Sequence, residues 1–309
     1  MRFSTFLLFV LLIILFAGLG IGMYFLWMAL PAESMEFNPY HKNITYQFPA
    51  QSSQFYPNMR YKNKEITYYI EPVCSQKKKN DAEEAFAIIQ EKTILSFQEQ
   101  NKNPEIVVMC SNVEPTSEQE NYFIAGEGGP SEIINATNYA VILAGKISLY
   151  RPESCDTPQV AIHEVLHALG FDHNSNTQSI MYPETGCEQI IGQEIVDEIA
   201  RIYSEPSLPD LTIETAKAAK IRNYLDFEVV ISNQGIENSE NSTLVLTANN
   251  EEIKTFDIQA LEIGLSVKLT ATNLKIPRNT EKIAFIVQAD EKELSKENNQ
   301  AEITLIDSS

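Results

Sequence analysis

With 309 residues and 44% hydrophobic content, the chain has room for two ordinary domains and a short apolar leader. Its 42 acidic and 23 basic side chains leave a formal charge of −19, which argues against the basic stripe that a nucleic-acid partner requires. The acidic residues are spread along the chain, so they describe a solvated, self-repelling surface and indicate no particular cationic partner.

From Phe3 to Ala32 there is no charged residue. About 20 apolar residues cross a bilayer as a helix, so residues 1–32 are predicted to be a transmembrane signal anchor spanning from Phe6 to Leu30. Arg2 precedes the run and Glu33 and Glu36 follow it. The positive-inside tendency places the N-terminus in the cytoplasm and the rest of the chain outside a single-pass cell membrane. A cleaved signal peptide is the rival reading, although its apolar core is usually shorter, at about 7–15 residues. Residues 33–61 are polar, with interspersed aromatic and proline residues and no helical period, and are expected to be a linker or extended arm.

The next segment mixes periods. Glu65–Glu71 alternates and is rich in Ile and Tyr, as a strand would be. Asn80–Gln100 carries Ala85, Ile88, Ile89, Ile94, Leu95 and Phe97 near helical spacing, with Asp81 near its start. Glu105–Cys110 is a short β run, and strand–helix–strand suggests a parallel pair with a crossover. Gly126, Gly128, Gly129 and Pro130 read as a loop. Glu132–Asn135, Ala140–Leu143 and Lys146–Tyr150 are further strand candidates.

A second helix is predicted from Pro158, with Asp156 and Thr157 as N-cap candidates. His163 and His167 are four apart and share one of its faces. Glu164 lies beside them, where an attacking water would sit. Gly170 suits the left-handed turn that ends a helix, after which His173 can return toward the same point. Three protein nitrogens with an open fourth position is the arrangement of catalytic zinc sites. A helical glutamate as third ligand, Glu188 or Glu194, is the competing arrangement, but it leaves Gly170 and His173 unexplained. Only one further histidine exists, His41, so a second histidine-rich zinc site cannot be built and one catalytic Zn2+ is expected. The acidic and glycine-rich loops have the composition of calcium sites but show no recognisable ligand pattern.

The eleven-residue string His163-Glu164-Val165-Leu166-His167-Ala168-Leu169-Gly170-Phe171-Asp172-His173, followed by Ser179-Ile180-Met181-Tyr182-Pro183, resembles the metzincin zinc metalloproteases, the matrixin-like branch above all. The resemblance covers about Tyr61 to Ser204. It implies an α+β catalytic domain over residues 62–205, with a mixed sheet plus helices. It implies that Met181 floors the metal ligands and that Tyr182 and Pro183 line the pocket for the substrate side chain after the scissile bond. It also implies that a peptide pairs with one edge strand of the sheet. The activity implied is that of a zinc metalloendopeptidase, in which zinc activates water and Glu164 is the general base acting on protein or peptide substrates. Asn174 departs from the pattern of the well-known branches.

Cys74, Cys110, Cys155 and Cys187 are an even set in a chain that reads as exported. Their order favours Cys74–Cys110 and Cys155–Cys187, although four cysteines allow three pairings and buried free thiols are the alternative. Gln193–Tyr203 reads as a closing helix with Ile195, Ile199 and Ile202 on one face, and Ser204–Pro209 as a proline-punctuated linker.

Residues 206–309 then change character. Seven short strand-like runs separated by turn signals argue an all-β immunoglobulin-like sandwich. The run from Leu208 through Ser232-Asn233-Gln234-Gly235 resembles the CARDB type of module found on prokaryotic cell surfaces, which implies a cell-surface ligand as its partner. If the metal domain is degenerate, the whole chain is instead a surface adhesion or binding protein. A metal hydrolase of a non-protein polymer is the third reading.

Overall fold

The computed structural model describes residues 3–28, 33–40, 53–113, 115, 124–151 and 154–305, with side chains of the first helix described over 9–25. His41 lies outside these residues. The uncharged leader forms helix α1, Phe3–Met28. Among the described residues no helix is long and apolar enough to cross a membrane. The bilayer span expected over Phe6–Leu30 is therefore not shown: the fully described part of α1, residues 9–25, is short beside the ~20 residues a bilayer core needs.

Two parts of the expected linker or extended arm are strands. Strand β1, Ser34–Tyr40, pairs antiparallel with a strand of the distant sandwich, from Ser34 opposite Thr272 to Tyr40 opposite Ser266. It is an edge strand, which is where Pro39 is tolerated in a ladder. Strand β2, Met59–Tyr61, is wholly buried and belongs to the catalytic sheet.

Strand β3, Glu65–Ile70, leads to helix α2, Gln76–Lys92, which starts and stops earlier than its apolar period suggested. Ser75 caps its N-terminus through its hydroxyl, and Asp81, expected near the start, lies within the helix. At the other end the Thr93 hydroxyl donates to the Ile89 carbonyl at 2.8 Å. Ile94 and Leu95 then turn the chain into β4, Ser96–Glu99, parallel to β3. Strand β5, Ile106–Cys110, is parallel to β3 on its other side.

The glycine-rich stretch is not a loop. It opens β6, Gly126–Asn135, which pairs antiparallel with β7, Ala140–Leu149. Strand β7 is central: β2 and β5 flank one side of it in parallel and β6 the other, giving the order β2-β7-β5-β3-β4 with β6 as the edge. Central strands are buried on both faces, and Ala140, Val141, Ile142, Ile147 and Leu149 are. Helix α3, Gln159–Ala168, packs on β6, β7 and α2. Helix α4, Gln193–Ile202, buries Ile195, Ile199 and Ile202 on the predicted face.

The sandwich has the seven expected strands: β8 Leu211–Ile221, β9 Tyr224–Asn233, β10 Ser242–Ala248, β11 Glu251–Ile258, β12 Ser266–Lys275, β13 Lys282–Gln288 and β14 Gln300–Thr304. Two sheets, β1-β12-β9-β8 and β11-β10-β13-β14, enclose a core containing Phe227, Leu244, Leu246, Leu269 and Phe285. A mixed α+β region followed by an all-β sandwich is thus the architecture.

The two regions touch. Ala136 and Val141 of the catalytic region share a buried apolar cluster with Ile236 and Ile263 of the sandwich. Arg60, 1% exposed, donates to the carbonyls of Tyr61, Lys62, Ile202 and Glu205 and to the Ser207 hydroxyl, with its guanidinium 4.4 Å from the Tyr203 ring centre. A buried cation is stable only when its donors are satisfied, and this one staples the junction between the two regions.

Candidate metal centre

Helix α3 starts without a side-chain cap, with Pro158 in the N-cap position in place of Asp156 or Thr157. Its N-terminal end is held instead by Gln159, whose amide donates to the carbonyls of Cys187 and Gln189 and to the Thr157 hydroxyl. The Cys155–Cys187 disulfide closes the same region, and Cys74–Cys110 closes the segment from β3 to the end of β5; both are the pairings that chain order favoured. At the C-terminal end, Gly170 takes φ +95°, and the Tyr61 hydroxyl donates to the Ala168 carbonyl at 3.0 Å.

After that turn His173 comes back under the helix. Its Nε2 lies 3.2 Å from Nε2 of His163 and 3.1 Å from Nε2 of His167. The other ring nitrogens of His163 and His167 are occupied: His163 Nδ1–H donates to the Ile180 carbonyl at 2.6 Å and His167 Nδ1–H to the Phe171 carbonyl at 2.7 Å. Those carbonyls hold both rings in the tautomer whose Nε2 is a bare lone pair. Burial then keeps the imidazoles neutral: it brings His163 down to about 4, with the neighbouring His167 adding to the effect, and it also lowers His167 and His173.

Unprotonated nitrogens crowded this closely repel unless a cation lies between them. A tetrahedral ion with bonds of about 2.0–2.1 Å sets its ligands about 3.3–3.4 Å apart, close to the spacing found here. Zinc fits this all-imidazole set. Glu188 and Glu194 do not join it: the metal-ligating group among the described residues is His163, His167 and His173.

The third-ligand loop is tied down by residues whose role spacing could not reveal. The Asn174 N–H donates to the Met181 carbonyl, its amide donates to the Ser179 hydroxyl at 2.8 Å, and its side-chain oxygen accepts the Asn176 N–H at 3.0 Å. The residue that departs from the family pattern therefore latches the His173 loop to the methionine turn. Met181 is buried at 1% exposure, one residue after the carbonyl that orients His163. On the other side, Phe55 stacks on His167 with ring centres 5.7 Å apart, and its N–H donates to the Gly170 carbonyl.

Glu164 is 6% exposed. Burial, with the negative charge of Glu127 adding to it, pushes its carboxyl up to about 8. It faces a cleft of about 990 Å³ lined by the three histidines, Phe55, Pro183 and the Gly126–Gly128 stretch, among others. Pro183 lines this cleft, whereas Tyr182 is half-buried and is not among the residues that line it. The glycines explain how β6 lies so near: a Cβ on Gly126 would stand 2.8 Å from Glu164 Oε1, and one on Gly128 would stand 2.2 Å from the Glu164 carbonyl oxygen. The Gly126-Glu127-Gly128-Gly129 pattern is legible in sequence, but only as a loop signal.

A helix-borne His-Glu-x-x-His with a third histidine after a glycine turn, beside a mixed sheet whose β6 pairs only with β7 among the described residues, is the pattern of zinc peptidase metal sites. Comparison with known proteins agrees: residues 60–203 match the matrixin family model and residues 208–303 match the CARDB model. The chain thus carries a matrixin domain followed by a CARDB domain. No curated protein matches it. Solved structures similar to it include a Pyrococcus furiosus CARDB domain crystallised in complex with di-metal ions (21% identity, 32% of this chain and 90% of that one, TM-score 0.28). Another is a domain of a Methanosarcina acetivorans protein provisionally named a cell surface protein (17% identity, 32% and 93%, TM-score 0.28).

Proposed function

We propose that this protein is a zinc-dependent endopeptidase of the matrixin type, working outside the cytoplasm and tethered to the cell membrane by its N-terminal apolar helix. The observation that carries the catalytic part is the meeting of three imidazoles, with Nε2 of His173 within 3.2 Å of Nε2 of each of the other two, beside a buried carboxyl at the floor of an open cleft. The matrixin match supports proteins as the substrate class. Two disulfides support an oxidising compartment. The tether rests on the uncharged run from Phe3 to Ala32.

Zinc held by His163, His167 and His173 supplies a Lewis acid and brings the pKa of water to about 7. Glu164 takes a proton from the attacking water onto its carboxylate. The same carboxyl then delivers that proton to the departing amine nitrogen. Its burial suits the second half of the cycle, because a carboxyl whose affinity for protons is raised holds the proton it has taken until the amine departs. The free edge of β6 offers backbone N–H and C=O groups to align an extended peptide across the cleft. The sandwich serves as a surface module for a cell-surface ligand.

The test compares wild type with Glu164→Gln, each purified as the full chain with one equivalent of zinc, on casein and on a peptide library. Losing general acid–base transfer costs about 10²–10⁴ in kcat with zinc retained. Equal cleavage by both proteins would refute the proposal.

A further inference from the structure

Strand β6 pairs only with β7 among the described residues, and its other edge borders the cleft over Glu164. Along Gly126, Glu127, Gly128 and Gly129 one residue alone carries a side chain. The Cα–Cβ directions of Gly126 and Gly128 aim at Glu164, so alternation along the strand sends the Glu127 side chain to the opposite face. There it stands across from Ser148 on β7, and the hydroxyl of Tyr150, the residue just past the end of that strand, donates to Glu127 Oε2 at 2.5 Å. The carboxylate is exposed but fixed in place.

A peptide that extends the sheet at this edge puts one residue directly opposite Glu127, with its side chain on the same face and Cβ atoms about 4.5–5.5 Å apart. Opposite charges attract at that spacing and like charges repel. Asp172 and Glu184 also line the cleft, as does Arg151. We infer that Glu127 is a specificity-determining residue, and that the substrate position cross-strand from it, close to the scissile bond, takes lysine or arginine. Tyr150 is its positioning residue. This inference rests on the peptidase reading and sharpens it from proteins in general to segments with a basic residue near the cleaved bond.

Cross-strand charge pairing predicts a preference of about 1.5- to 5-fold in kcat/KM for Lys over Gln at that position. Adding the like-charge penalty makes the Lys-to-Glu ratio roughly 2- to 25-fold, shrinking as salt is raised. The experiment uses the zinc-loaded full chain and a positional-scanning set of quenched fluorescent peptides carrying Lys, Gln or Glu at each place around one bond. Wild type should show one position ranked Lys over Gln over Glu. Glu127→Gln should flatten that ranking, Glu127→Lys should reverse it, and Tyr150→Phe should weaken it. Peptides cleaved with no cationic position, or a ranking that survives Glu127→Lys, would overturn the inference and leave the peptidase reading standing. If wild type cleaves none of the peptides, the peptidase reading fails first and the inference falls with it.

Discussion

The closeness of β6 to the metal helix makes a sharp prediction for Gly128→Ala. The backbone at Gly128 is not left-handed, since among the described glycines only Gly170 and Gly264 have positive φ. Unfolded-state entropy alone would then make alanine stabilising by about 0.4–1 kcal/mol. Against this, the new methyl would stand 2.2 Å from the Glu164 carbonyl oxygen, a backbone atom that cannot swing aside. Overpacking of that severity costs about 2–3 kcal/mol, so the net loss is about 1–2.5 kcal/mol. For a domain of this size the melting temperature should fall by roughly 2–10 °C. Gly126→Ala differs in kind, because its methyl meets the Glu164 side chain, with Cγ at 2.7 Å. That side chain can move, so stability should change less while kcat/KM falls by about 10- to 100-fold, as expected for a misplaced catalytic group. Thermal unfolding followed by circular dichroism, with peptide hydrolysis on the same samples, separates the two effects. A Gly128→Ala protein as stable as wild type, or more so, would refute the argument that helix–strand contact dictates these glycines.

Three further outcomes follow from named contacts. Replacing Cys155 and Cys187 together by serine opens a link spanning 32 residues and should cost about 3–4 kcal/mol, read as a lower denaturation midpoint in urea. Asn174→Ala removes the side-chain bonds to Ser179 and Asn176 and should weaken zinc binding by about 10- to 100-fold in competition with a chelator; unchanged affinity would deny the latch its role. In hydrogen exchange, amides of β1 that face β12 should be protected, though less than those of the buried β9; exchange at unfolded-chain rates over residues 34–40 would show that the strand does not pair.

The metal site was legible because its information is local. Histidines four apart on one helix face, a glycine where the helix must end and a third histidine just beyond state their geometry in one short string, and the disulfides followed from chain order. The seven sandwich strands were legible because their alternation is strong. The errors fell where a distant partner decides. Glycines and Pro130 read as a loop, yet they form a strand by pairing with β7, and at Gly126 and Gly128 a Cβ would collide with Glu164 of α3. Ile94, Leu95 and Phe97 continue the period of α2, yet they lie beyond its end, where Thr93 turns the chain into β4. Strand β1 has six exposed residues among its seven, so no buried face marked it, and its partner β12 lies more than two hundred residues away. Nothing in the neighbours of Arg60 announces the carbonyls from Ile202 and Glu205 that surround it.

The most direct trial is anomalous diffraction at the zinc edge from crystals of the full chain. One peak should appear about 2.0–2.1 Å from Nε2 of His163, His167 and His173, and it should vanish in His173→Ala. A peak ligated by other side chains, or none at those three nitrogens in zinc-saturated crystals, would contradict the account.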